Sequence, residues 1–169
     1  GDIALTNFSR NSFNTYTGTH VVFGTTTPPT TFDVSTVNGT NGFNIVAGTS
    51  HPSYVGLTGV DINGDGFNDV FVNTYAATPY KNQVAVVFGG STGFSGTVDP
   101  TNQAVGHGFV IHDSSVNNSF YTGFGVRDSA NIGDVNHDGI DDVLIVEKNR
   151  GNAYVVFGSP NFLSISNFD

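Results

Sequence analysis

Short apolar runs recur along the chain and are separated by stretches rich in Gly, Asn, Thr and Pro. Each run is four to seven residues long and consists mainly of β-branched or aromatic side chains, which favours strands over helices. Several runs, such as 70–72, 84–88 and 143–146, are apolar at successive positions, and this is typical of strands that are covered on both faces. The pattern therefore predicts an all-β protein in which sheets stack face to face.

The runs belong to a repeat. Val-Val-Phe-Gly segments end at Gly24, Gly89 and Gly158, which are 65 and 69 residues apart. The segment GFNIVAG from Gly42 is echoed by GFVIH from Gly108. A unit of this length with four strands is typical of a β-propeller blade, and about four to eight blades usually close a ring. We therefore predict propeller-type blades of four antiparallel strands.

The chain holds two to three such units and is not expected to close a ring alone. We predict a partial blade at 1–48, a complete blade at 49–115 and a nearly complete blade at 116–169. The first unit starts just after its acidic loop, and the last strand of the third unit is doubtful. Ten strands are expected in total, three in the first unit, four in the second and three in the third. Those of the second and third units are predicted near 54–60, 69–75, 83–88, 108–112, 122–132, 142–147 and 152–157.

Two loops between predicted strands carry the same acidic pattern. GVDINGDGFNDVFV from Gly59 and GDVNHDGIDDVLIV from Gly133 both fit D-x-N-x-D-G-x-x-D. Calcium takes about six to eight hard oxygens, which a tight loop supplies from side chains at positions 1, 3, 5 and 9 and a carbonyl at position 7. Two Ca²⁺ sites are therefore predicted, with ligands Asp61, Asn63, Asp65, Phe67 (carbonyl) and Asp69, and Asp134, Asn136, Asp138, Ile140 (carbonyl) and Asp142.

A metal-free turn is the alternative, because Asp, Asn and Gly are common turn residues. Two loops with the same spacing make it the less favoured interpretation. An EF-hand would need a ligand at position 12, where the chain has Val72 and Ile145, so we expect strands on both sides of each loop. Without an ion, each close pair of carboxylates would repel by about 1 kcal/mol even when well screened.

The loops are followed by VFV or VLIV and then by VVFG, and in this order the sequence resembles the FG-GAP repeats of integrin α-subunit propellers and large bacterial calcium-binding surface proteins. The resemblance covers nearly the whole chain. The Phe-Gly pair of that family is matched by Phe124 and Gly125, and in the preceding unit by Val55 and Gly56. The resemblance implies that each calcium loop joins the first two strands of a blade. The family's Gly-Ala-Pro is replaced by residues 73–75 and 147–149, which leaves the partner-binding rim undefined.

Composition restricts the partners. The formal net charge is -9 with only five Lys and Arg residues, so nucleic acid and anionic membranes are unsuitable partners. No apolar run approaches the roughly 18 residues of a membrane span. Cysteine is absent, so neither disulfides nor thiolate metal sites hold the fold. A cation is the ligand that this charge favours.

We predict no catalytic function. The five histidines have no zinc-binding spacing, and no serine lies in G-x-S-x-G. His137, inside the second acidic loop, is expected to be solvated, and Glu147, just beyond a strand, is expected at the surface. Asp2 matches only the ninth position of an acidic loop and is not a site alone.

Three functions are compatible with these features. The first is an extracellular or cell-surface structural and adhesive module, stabilised by calcium, whose exposed blade edges bind further copies in an oligomer or filament. The second is a lectin-like module that binds surface glycan through aromatic and Asn-rich loops. The third is an accessory propeller fragment of a larger secreted protein. Size measurement with and without chelator, a glycan array and the length of the parent reading frame distinguish them.

Overall fold

The fold is all-β, as the apolar runs predict. The computed structural model describes residues 1–6, 19–27, 29–46, 54–76, 81–91, 93–112, 124–147, 151–165 and 167–168. The strands are β1 (Ile3–Thr6), β2 (Thr19–Val22), β3 (Gly42–Ile45), β4 (Tyr54–Val60), β5 (Asp69–Ala76), β6 (Lys81–Val87), β7 (Thr97–Val98), β8 (Gly108–Ile111), β9 (Phe124–Gly133), β10 (Asp142–Glu147), β11 (Asn152–Val156) and β12 (Asn167–Phe168). Two short 3₁₀ helices, Val34–Thr36 and Pro160–Ser164, are also present.

Within the described residues, the strands form three small sheets, none of which closes on itself. The first sheet has the order β1-β2-β3-β7, the middle sheet β12-β8-β6-β5-β4 and the third sheet β11-β10-β9. The ten predicted strands are all present, and consecutive long strands within each sheet pair in antiparallel fashion. The described part of the third sheet has the three expected strands, and the middle sheet contains the four expected antiparallel strands, β4, β5, β6 and β8; it differs from the expectation by a fifth strand, β12.

The two unpredicted strands explain this difference. β7 pairs in parallel with β3, and β12 pairs in parallel with β8. Each is only two residues long and follows a Val-Val-Phe-Gly segment in the chain. Each therefore joins the sheet of the preceding unit and ties neighbouring sheets together.

The hydrophobic core lies between the sheets as two clusters. One cluster, between the first and middle sheets, contains Val21, Phe43, Ile45, Val72 and Val87. The other, between the middle and third sheets, contains Val60, Ile62, Phe71, Val84, Val86, Phe88, Phe109, Ile111, Val143, Ile145, Val156 and Phe162. Successive side chains of a strand point to opposite faces of its sheet, so adjacent Val86 and Val87 enter different clusters. The runs 70–72 and 84–88 thus belong to a sheet that is covered on both sides. The run 143–146 differs from the expectation, because it lies in the third sheet and only Val143 and Ile145 enter a core cluster.

The two intersheet contacts repeat the same aromatic arrangement. Phe43 and Phe94 stack with ring centroids 4.8 Å apart between the first and middle units. Phe109 and Phe162 stack at 4.6 Å in the next contact, where the 3₁₀ helix Pro160–Ser164 carries Phe162. Within the described ranges, no helix is long and apolar enough to cross a membrane.

Candidate metal centres

The two acidic loops lie between strands, as their sequences predict. Residues 61–68 join β4 to β5, and residues 134–141 join β9 to β10. Gly66 and Gly139, at position 6, have φ values of +89° and +90°, a conformation that glycine adopts without a steric penalty. The position-12 residues, Val72 and Ile145, lie in the following strands and are buried in the core. An EF-hand arrangement is therefore absent from these loops.

In the first loop, backbone amides hold the side chains at positions 1, 3 and 5. The Asp61 carboxylate accepts hydrogen bonds from the amides of Asp65 at 3.0 Å and Gly66 at 2.8 Å. Asn63 Oδ1 accepts from the same Asp65 amide at 3.0 Å, and Asn63 Nδ2 donates to Asp65 Oδ2 at 3.1 Å. The Asp65 carboxylate accepts from the Phe67 amide at 2.8 Å. These bonds fix three oxygen-bearing side chains around one turn of backbone.

The second loop contains the same bonds. The Asp134 carboxylate accepts from the amides of Asp138 at 3.0 Å and Gly139 at 2.8 Å. Asn136 Oδ1 accepts from the Asp138 amide at 3.1 Å, and Asn136 Nδ2 donates to Asp138 at 2.9 Å. The Ile140 amide donates to Asp138 at 2.9 Å. Two separate stretches of sequence thus adopt one local structure.

Position 9 is a buried carboxylate that closes each loop. One oxygen of Asp69 accepts from the Ile62 amide at 2.9 Å, and the other accepts from the Gly89 amide at 2.8 Å. Asp142 receives the equivalent bonds from Val135 at 2.8 Å and Gly158 at 2.9 Å. Both carboxylates are fully buried. Position 9 therefore links each acidic loop to the glycine that ends the Val-Val-Phe-Gly segment of the same unit.

These terminal glycines are required by close backbone contacts. A Cβ atom at Gly89 would lie 2.4 Å from the Asn68 carbonyl oxygen, and one at Gly158 would lie 2.4 Å from that of Asp141. Asp2 makes the equivalent bond, since its Oδ1 accepts from the Gly24 amide at 2.7 Å. The structure thus places Asp2 as a ninth-position residue, in agreement with its sequence alignment.

The electrostatics of the first loop favour a bound cation. The pKa of Asp69 is raised to about 7, mainly by burial; hydrogen bonds from the Gly89 and Ile62 amides oppose the rise, and the nearby charges of Asp65 and Asp61 add to it. In the second loop, the hydrogen bond from the Gly139 amide is the main cause that lowers the pKa of Asp134. A divalent cation near Asp69 would counteract both its burial and the repulsion from its two neighbours.

The donor atoms have the chemistry that calcium requires. Carboxylate and amide oxygens and backbone carbonyls are hard ligands that suit Ca²⁺ and do not suit softer metals. In the described part of the chain, no group of three or more His, Cys, Asp or Glu side chains forms a metal-binding cluster by itself. Each predicted set has three Asp residues, so their three carboxylates do not converge as a ready-made cluster in this structure. By donor type the residues present fit calcium, with the Asn63 or Asn136 oxygen and a backbone carbonyl as further ligands.

The two loops are also connected to each other, through residues that the sequence pattern does not identify. The Asp61 amide donates to Asp141 Oδ2 at 3.4 Å, and Asn131 Nδ2 donates to Asp141 Oδ2 at 3.3 Å and to the Gly59 carbonyl at 2.7 Å. The Ser159 amide donates to the Ile62 carbonyl at 2.9 Å. Asp141 occupies position 8, which the loop pattern leaves unspecified, so only its extra negative charge distinguishes it in the sequence.

Other sequence expectations have mixed outcomes. His137 is exposed, as expected. The expected surface position of Glu147 is wrong. Glu147 is fully buried at the end of β10, where its Oε2 accepts from Asn152 Nδ2 at 3.0 Å and from the Tyr154 hydroxyl at 3.3 Å.

The residues that carry the family resemblance lie in strands. Phe124 and Gly125 lie in β9, and Val55 and Gly56 lie in β4. Of the segments that replace Gly-Ala-Pro, 73–75 lies in β5, and 148–149 lies outside the described residues.

Comparison with known proteins gives no identification. No protein-family model matches the chain, and no curated protein or solved structure matches it either.

Proposed function

We propose that this chain is a non-catalytic, calcium-stabilised module of an extracellular or cell-surface protein, built from FG-GAP-type propeller blades, and that its role is structural and adhesive. Its partners in this proposal are protein neighbours, including further copies of the chain. The observation that carries the proposal is the duplicated loop network, in which seven hydrogen bonds recur in equivalent positions with lengths that agree within 0.2 Å.

The proposed role of each ligand follows from its position. Asp61, Asn63 and Asp65 would hold the first Ca²⁺ together with the Phe67 carbonyl, and buried Asp69 would connect that site to the strand ends. Asp134, Asn136, Asp138, the Ile140 carbonyl and Asp142 would do the same in the second loop. Bound calcium supplies positive charge that offsets carboxylate repulsion. The chain itself supplies preorganised oxygens, because backbone amides hold them before any ion binds.

Calcium at extracellular concentration would then contribute to the stability of the sheet stack. Extracellular modules bind calcium with dissociation constants of about 0.1 to 1 mM. At about 1 mM calcium, such a site stabilises the folded state by roughly 0.4 to 1.4 kcal/mol. Because Asp69 and Asp142 start the central strands β5 and β10, the stabilisation reaches the core directly.

The test is calcium titration followed by calorimetry and thermal melting. We expect two calcium ions per chain and a lower melting temperature in chelator. Asp65→Ala and Asp138→Ala should each remove one binding event and part of the calcium-dependent gain in melting temperature. Asp99→Ala is a matched control, because Asp99 caps a turn by accepting from the Thr101 amide at 2.9 Å outside both loops. Asp99→Ala should lower the melting temperature by the same amount in calcium and in chelator. An unchanged melting curve of the wild-type chain in chelator would reject the proposal.

A further inference from the structure

In the part of the chain that the structure describes, each outer sheet of the stack carries exposed apolar side chains on one face. On the first sheet, Ile3 and Leu5 are 58% and 45% exposed. On the third unit, Val135, Val155 and Phe157 are 48%, 46% and 53% exposed. Isolated exposed apolar residues are common, but groups on one face indicate a binding surface. We call Ile3 and Leu5 the leading face, and Val135, Val155 and Phe157 the trailing face.

The repeat shows what covers a leading face inside the chain. Asp2 and Asp69 hold equivalent positions, because each accepts from the glycine that ends a Val-Val-Phe-Gly segment. Ile3 and Leu5 therefore correspond to Val70 and Val72. Val72 is fully buried against the first sheet, in a cluster with Val21, Phe43 and Ile45. The internal counterpart of the leading face is thus covered by the sheet of the preceding unit.

The trailing face has the same relation to an internal contact. Val135, Val155 and Phe157 correspond to Ile62, Val86 and Phe88, which are 0%, 0% and 4% exposed because the third sheet packs on them. The Ile62 carbonyl also accepts from the Ser159 amide across this contact. Each face exposed at one end of the chain is therefore the counterpart of a face that is buried within it.

We propose that the trailing face of one copy of this chain packs on the leading face of a second copy, in the geometry of the internal sheet contacts. This deepens the proposed function and rests on it, since it names the protein neighbour and uses the same repeat. By equivalence, Thr25 corresponds to Ser159 and Val135 to Ile62. The Thr25 amide of the second copy donates to the Val135 carbonyl of the first.

The arrangement is head to tail, because the two faces are different surfaces. Such heterologous contacts produce rings when the rotation closes and filaments when it does not. Charge opposes association, since each copy carries a formal charge of -9. Two bound Ca²⁺ ions would change this to -5 (-9 + 4 = -5). Association is therefore stronger in calcium, and salt weakens the remaining repulsion.

The experiment is sedimentation velocity over a range of concentrations in calcium and in chelator. Leu5→Asp disables the leading face, and Phe157→Asp disables the trailing face. Val105→Asp is the matched control, because Val105 is 59% exposed in the turn before β8. We expect concentration-dependent assembly of the wild type and the control, and a rise of about 30-fold or more in the dissociation constant for each face variant. An equimolar mixture of the two face variants should form a heterodimer and nothing larger, because one intact face of each kind remains.

Three results would overturn the inference: a wild type that stays monomeric, a face variant that dimerises by itself, or a control that loses assembly like the face variants. Circular dichroism and the calcium-dependent melting shift verify that each variant folds. If a charged variant fails to fold, Leu5→Ser or Phe157→Ser replaces it. A monomeric wild type that calcium still stabilises would reject this inference alone, whereas a wild type that binds no calcium would reject the proposed function.

Discussion

Gly64 and His137 occupy the fourth position of the two acidic loops, and both have a positive φ, +73° and +64°. For a residue with a Cβ atom, this left-handed conformation costs about 1–2 kcal/mol. Glycine avoids that cost but loses more conformational entropy on folding. In addition, a Cβ at Gly64 would lie 3.1 Å from the Ile140 side chain. The second loop therefore contains local strain that the first does not.

His137→Gly should stabilise the protein. Relief of about 1–2 kcal/mol of backbone strain, less about 0.4–1 kcal/mol of unfolded-state entropy, leaves a gain of up to about 1.6 kcal/mol. Urea denaturation at constant calcium measures it. Gly64→Ala is the reciprocal change and should destabilise. A loss of stability in His137→Gly would contradict the left-handed conformation at that position.

At the scale of elements, the sequence predicts those strands and loops whose residues follow a regular spacing. The ten longer strands have apolar runs bounded by turn residues, and the loop ligands have a fixed nine-residue pattern. β7 and β12 are only two residues long and pair with another unit, so no local periodicity reveals them. Glu147 is polar and ends a strand, and hydrogen bonds from Asn152 and Tyr154 of β11 help to make its burial favourable. Contacts between units could therefore not be predicted from the sequence.

The bonds between the two loops predict coupled calcium binding. Asn131 donates to both the Gly59 carbonyl and Asp141, so an ion that orders one loop also orders part of the other. We expect the first ion to raise the affinity for the second by about fivefold, or about 1 kcal/mol.

Asn131→Ala should weaken the coupling between the two binding steps without removing a proposed ligand. Isothermal titration calorimetry compares it with Asn41→Ala, which removes local bonds to the Thr36 carbonyl and from the Asn38 amide in the first unit, outside both acidic loops. If the wild type and Asn131→Ala show the same separation of binding steps, the coupling is absent.

For the whole molecule, the repeat explains a cavity between the first and middle sheets. The cavity has a volume of about 560 Å³ and is lined by Phe23, Phe43, Phe67, Phe88 and Phe94, with Asp2 and Asp69 at its wall. In the next intersheet contact, Val60 and Ile62 occupy the equivalent place and are fully buried. We infer that the cavity marks a place where the side chains of a strand and acidic loop like 54–67 would pack next to Asp2.

A grafted segment tests this interpretation. A copy of residues 54–67 placed directly before Gly1 would make Asp2 the ninth position of a third acidic loop. We expect three calcium ions per chain instead of two, and a higher melting temperature because apolar side chains fill the cavity. The same extension with its two Asp residues changed to Ala is the control and should bind only two ions. If the chain with the intact graft still binds only two calcium ions, Asp2 is not equivalent to Asp69.

The central claim is that two loops of this chain each hold a calcium ion. The most direct measurement is a crystal structure in millimolar calcium, with an anomalous difference map to locate the ions. The account predicts two peaks, each about 2.3–2.6 Å from the carboxylate, amide and carbonyl oxygens of its loop, one among Asp61, Asn63, Asp65, Phe67 and Asp69, and one among Asp134, Asn136, Asp138, Ile140 and Asp142. A map without a peak in either loop would contradict it.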